Sequence, residues 1–146
     1  MPIVNKTNYN DINAVMKEHI RRKEVALIRT LKWVGENVIS VARGTQSYKD
    51  QTGNLRSSIG AIIVVNGHVE WQTSFNSVRQ GQQGAQDGKD FARELIGEFP
   101  RGIALICVAG KNYAVHVANR GLDVLDSAEL EAEKLMKEML VTLNIR

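Results

Sequence analysis

The stretch SIGAIIVVNGHVEWQTS, residues Ser58 to Ser74, decides the fold class. Ser58 to Val65 is apolar and rich in β-branched residues, the composition of a buried strand. Asn66-Gly67 places side by side two residues that tolerate positive φ, as a two-residue hairpin turn requires. His68 to Ser74 then alternates, which predicts Val69, Trp71 and Thr73 on one face and His68, Glu70 and Gln72 on the other. The expectation is an antiparallel hairpin.

Towards the N-terminus a helical period runs from about Asp11 to Arg43. Ile12, Val15, Met16, Ile20, Leu27, Leu31, Val34, Val38 and Ala42 form one stripe, widened by Ile28, Gly35 and Ile39. Asn10 or Asp11 is the expected N-cap, and Gly44 the stop. At 1.5 Å per residue such a helix is about 50 Å long. A small domain cannot cover that length, so part of it should lie on a neighbouring subunit. The polar centre, Arg21-Arg22-Lys23-Glu24, could instead mark a kink. Residues 1–10 are polar and aperiodic and read as an N-terminal arm.

Towards the C-terminus, Phe75 to Asp90 holds three glycines and few apolar residues, and reads as a long mobile loop. A short helix from about Asp90 to Gly97 follows, ended by Pro100. Arg101 to Ala109 is a buried strand. Tyr113 to Ala118 alternates weakly, as a strand or a helical turn. The last element is a helix from about Ser127 to Leu143, with Asp126 and Glu129 spaced as a capping box. The sum is an α+β domain spanning residues 11–146, with an inserted loop and short helix at about 75–97. It has a long N-terminal helix, an antiparallel sheet of three or four strands, and a C-terminal helix packed with the first on one sheet face.

Composition narrows the function classes. The chain has 146 residues, enough for one modest core. Aromatic residues make up 5%, too few for a base-stacking platform, and the net charge of +3 comes from Lys and Arg scattered among nearly as many acids. The one cysteine, Cys107, sits within an apolar run and is expected to be buried and inert. No apolar run approaches the ~20 residues of a membrane helix, and the N-terminus lacks a signal peptide's apolar segment.

Catalytic chemistry finds no constellation. His19, His68 and His116 fall on a helix, a polar strand face and an alternating segment, outside any nucleophile or metal motif. Gly81 to Lys89 resembles a phosphate loop superficially, but lacks the Gly-Lys-Ser/Thr ending. Glu129, Glu131 and Glu133 lie on a helix's polar side. The expectation is a protein without enzymatic activity, cofactor or metal.

Two stretches carry more than composition. YKDQTGNLRSSI, Tyr48 to Ile59, directly follows the long helix, and VAGKNYAVHVANRG, Val108 to Gly121, precedes Leu125-Asp126-Ser127-Ala128 and the last helix. Together they resemble the tail-component family of long-tailed, lambdoid-type bacteriophages, small head-to-tail joining or tail-completion proteins. The matching positions are Thr52, Gly53, Leu55, Arg56 and Ser58 in the first motif, and Tyr113, Ala114 and Gly121 in the second. Gly53 permits the turn, Leu55 anchors the strand start in the core, and Arg56 and Ser58 face outward or bond the turn. One departure is Asn119, where the family carries an acid. If that acid pairs with Arg56, only a hydrogen bond remains here.

The resemblance implies a virion protein, assembled in the bacterial host cytoplasm, that forms a homo-oligomeric ring, commonly six-fold, at the head–tail junction. Its neighbours would be tail-tube and connector or head-closure proteins, with DNA passing through and not bound specifically. In such a ring the long helix and the arm are the candidate subunit patches. Phe75, Arg79, Gln80, Gln82, Gln83 and Lys89, in the predicted loop, are the candidate contacts to tube or connector. A tail terminator or head-closure protein is close in role. A nucleic-acid-binding regulator using Arg21-Arg22-Lys23 is the alternative from another class.

Overall fold

The computed structural model describes residues 2–44, 53–75, 80–110 and 125–143. The elements in chain order are α1 (Tyr9–Gly44), α2 (Asn54–Ser57), β1 (Gly60–Val65), β2 (His68–Gln72), α3 (Gln82–Ile96), β3 (Ile103–Val108) and α4 (Asp126–Thr142). The fold is α+β, as the sequence predicts.

α1 runs unbroken for 36 residues, about 54 Å at the α-helical rise. Its start lies before the predicted cap. The Asn8 side chain accepts the Asn10 N–H at 3.0 Å, and the Asn8 carbonyl accepts the Ile12 N–H at 3.2 Å. Asp11 falls instead in the first turn, where its charge still faces the positive end of the helix dipole. The polar centre does not kink the helix. Arg21 and Arg22 both reach back to Glu18, at 2.8 and 3.1 Å, in helical i,i+3 and i,i+4 geometry.

The sheet order is β2-β1-β3, antiparallel throughout. The hairpin turn is the predicted one: Asn66 has φ 50° and Gly67 φ 81°, the left-handed values a two-residue turn requires. Asn66 is fixed further by two hydrogen bonds. Its N–H donates to the Gly102 carbonyl at 2.9 Å, and its side-chain oxygen accepts the Gly102 N–H at 3.0 Å. The predicted element at Tyr113 to Ala118 lies outside the described residues.

The alternation of β2 differs from the prediction. Ile63 pairs with Trp71, but Val64 pairs with Val69, so Glu70 is an extra residue in a β-bulge. The bulge puts Val69 and Trp71 on opposite faces. Trp71 shares the face of Ile63 and approaches Gly35 of α1 so closely that a Cβ there would lie 3.2 Å from its ring. Val69 shares the face of Val64 and stays 45% exposed.

Both sheet faces are covered, by different helices. On one side Ala61, Leu105 and Cys107 join Val34, Val38, Ile39 and Ala42 of α1 with Ala128 and Leu135 of α4. The first and last helices therefore share a face, as expected. On the other side Ile62, Val64, Ile106 and Val108 pack with Phe75 and with Ala85 and Ala92 of α3. Each fully buried Val or Ile contributes about 1.5–3 kcal/mol.

α3 corrects the predicted loop. Gln82 to Ile96 is one helix of 15 residues, and the expected short helix is only its second half. Its glycines serve close packing. A Cβ would lie 2.1 Å from Ser57 Oγ at Gly81, 2.0 Å from the Asn54 carbonyl at Gly84, and 2.4 Å from the Ser58 carbonyl at Gly88. Three glycines on one face thus let α3 sit directly on the backbone of residues 54–58. Side-chain bonds one turn apart, Gln83 to Asp87 and Gln86 to Asp90, support the helix. α4 corrects a smaller prediction. Leu125 occupies the cap position and there is no side-chain cap. Asp126 is already inside the first turn, so no capping box forms with Glu129.

Candidate interaction surface

The first motif is a structural joint. Gly53 has φ 79°, which a β-carbon would penalise, and Leu55 is buried at 4% exposure, as expected. Arg56 Nε donates to the Arg43 carbonyl at 3.1 Å, satisfying one of the last carbonyls of α1. Of the two expected roles, outward-facing or bonding the turn, Ser58 takes the second. It is fully buried, its hydroxyl donating to the Leu55 carbonyl at 2.6 Å and accepting the Gly110 N–H at 2.7 Å. Arg43, which the sequence did not flag, donates to the carbonyls of Ile59 at 2.7 Å and Ser74 at 3.0 Å, and burial lowers its pKa. Thr52, Tyr113, Ala114, Asn119 and Gly121 lie outside the described residues.

Most of the expected tube-contacting loop is helical, since Gln82 to Lys89 belong to α3. Phe75 is a core residue, 7% exposed, its ring against Gly60 and Gly88. Gln80 is exposed in the turn before α3, and Gln82 and Gln83 are exposed in its first turn. Lys89 is half-buried and lines a groove of about 560 Å³ between β2 and α3 with Val69, Glu70 and Arg93. Arg79 lies outside the described residues. The candidate contacts therefore divide between core, helix start and groove.

Among the described residues, the N-terminal half of α1 is a long uncovered feature. The C-terminus of α4 meets α1 at Lys23, whose Nζ donates to the Leu143 carbonyl at 3.2 Å. Beyond that point, from Tyr9 to Arg22, every residue but Glu18 is exposed. The segment projects about 21 Å at 1.5 Å per residue. Its apolar residues are not scattered: Ile12, Met16 and Ile20 continue in helical phase the stripe that Leu31, Val34 and Val38 bury. Ile20 is 53% exposed and Met16 57%, against 4% for Leu31. Shared between two guanidinium groups, the Glu18 carboxyl is held down to about 2.

Among the described residues no group of His, Cys, Asp and Glu could hold a metal ion. Burial pushes the Cys107 thiol up to about 11, which keeps it protonated at neutral pH. No described helix is long and apolar enough to cross a membrane. Compared with protein-family models, with curated proteins and with solved structures, the chain matches none.

Proposed function

We propose that the chain is a structural virion protein of a tailed bacteriophage, a tail-completion or neck component that works as a ring at the head–tail junction. The observation that carries this reading is the projecting half of α1. An apolar stripe that is buried along one half of a helix and left in water along the other is a surface made for a partner. A ring supplies that partner from the next identical copy, through a contact between two different patches. The motif resemblance supports the phage assignment, and the joint built by Gly53, Leu55, Arg56 and Ser58 supplies the rigid body such a ring needs. The terminator and head-closure roles share this assembly physics and differ in neighbours. Sharing of Glu18 between Arg21 and Arg22 blunts the basic run that a nucleic-acid-binding regulator would use.

The test is the native mass of the purified chain by light scattering across a concentration series, with negative-stain images of large species. A closed ring of several copies is expected, and the ring should cap isolated phage tail tubes. A chain that stays monomeric alone and fails to bind tubes or connectors would sink the proposal.

A further inference from the structure

We infer that the projecting half of α1 docks antiparallel on the outward face of α4 in a second copy of this chain. This contact rests on the ring reading above and names its receiving patch. The outward face of α4 is itself unusual. Leu130 is 69% exposed and Val141 80% exposed, and they lie on one helix face, eleven residues apart. Asp126, Glu129 and Glu133 surround Leu130, all exposed, none in an ion pair among the described residues. Lys134 follows one turn after Leu130, and Lys137 and Glu138 lie nearer Val141. The first half of α4 is therefore acidic, while Lys137 and Glu138 leave the second half without net charge.

The projecting half of α1 is basic at the end that would meet this acidic stretch. Asp11 is in its first turn, and Arg21 and Arg22 close it, with one carboxylate, Glu18, between two guanidiniums. Laid antiparallel, Arg21 and Arg22 come opposite the Asp126–Glu133 end while Asp11 comes opposite Lys137. Laid parallel, Asp11 meets the acidic end, and Arg21 and Arg22 meet a stretch without net charge. Charge therefore selects the direction, and Met16 and Ile20 against Leu130 supply the apolar contact. The lengths agree as well: the uncovered stretch of α1, about 21 Å, fits along the 17 residues of α4, about 25 Å. Each copy uses one helix to give and another to receive, so the contact is heterologous and repeats from copy to copy, as a ring requires.

The experiment is a charge exchange read by native mass and sedimentation. All the residues exchanged are exposed, but Arg21 and Arg22 pair with Glu18, so circular dichroism of each variant must match the parent's helix content before its mass is read. Arg21→Glu with Arg22→Glu should lower the mass to that of single chains at concentrations where the unmodified chain assembles. Glu129→Arg with Glu133→Arg should do the same. The two pairs combined in one chain should restore assembly. If the unmodified chain forms rings and either pair leaves them intact, or the combination fails to restore them, this contact is wrong while the ring reading survives. If the unmodified chain is monomeric at every concentration, both the contact and self-assembly of the free chain are overturned.

Discussion

The hydroxyl of Ser58 accepts the backbone N–H of Gly110 at 2.7 Å, joining residues 52 positions apart. The same hydroxyl donates to the Leu55 carbonyl at 2.6 Å, and Ser58 is fully buried. One oxygen thus fastens the turn that enters β1 to the chain leaving β3. Removing it strands a buried N–H. Ser58→Ala should destabilise the fold by about 1–3 kcal/mol, read as a lower urea midpoint with unchanged slope. A neutral result would mean that the turn and the end of β3 are not joined through this group.

The glycines of α3 make a sharper test, because a loop and a packed helix predict opposite signs. Gly→Ala in an open helix gains roughly 0.5–1 kcal/mol through lower chain entropy. Gly97, in right-handed conformation with its nearest contact 4.0 Å away, should show that gain on substitution by Ala. Gly84 has the Asn54 carbonyl 2.0 Å from where a Cβ would stand. Backbone cannot swing aside as a side chain can, so Gly84→Ala should instead lose about 1–3 kcal/mol. Thermal melts of the two variants decide it. Gly84→Ala as stable as the parent would restore the loop reading of this segment.

The same glycines show where sequence reading stops. Asn66-Gly67 was legible because a hairpin turn needs positive φ, and few residues supply it. Gly81, Gly84 and Gly88 are chosen for the absence of a side chain and carry no positive φ. Composition cannot separate the two uses, so a packed helix read as a loop. The bulge at Glu70 was hidden for a related reason: one extra residue leaves local alternation intact and only changes which face each half serves. The length of α1 correctly announced an uncovered half. Its boundary at Lys23 was not legible, because Ile12, Met16 and Ile20 look like Leu27, Leu31 and Val34 until α4 is seen to end there.

Arg43 ties the end of α1 to both ends of the hairpin through the carbonyls of Ile59 and Ser74. Its carbonyl in turn receives Arg56. Arg43→Met keeps most of the apolar stem and removes the donors, and should cost about 1–3 kcal/mol in denaturant unfolding. Arg43→Lys should recover only part of this: both bonds come from Nη2 at the tip of the guanidinium, one bond farther out than a lysine ammonium reaches. Full stability in Arg43→Lys would show that charge alone, and not the reach of the guanidinium, holds the joint.

Cys107 gives the fold a dependence on alkaline pH. Burial lifts its thiol from an ordinary 9.0 to about 11. Between those values the unfolded chain has lost the proton while the folded chain keeps it, so stability falls as pH rises through that window and is fully present below it. Other groups titrate there too, so the reading comes from the difference between the parent chain and Cys107→Val. The parent should lose more on going from pH 8 to pH 11, by on the order of 2 kcal/mol. A thiol reagent at pH 8 should label Cys107 slowly in the native chain and quickly in denaturant. Equal labelling rates in the two states would place the thiol in solvent and remove the alkaline term with it.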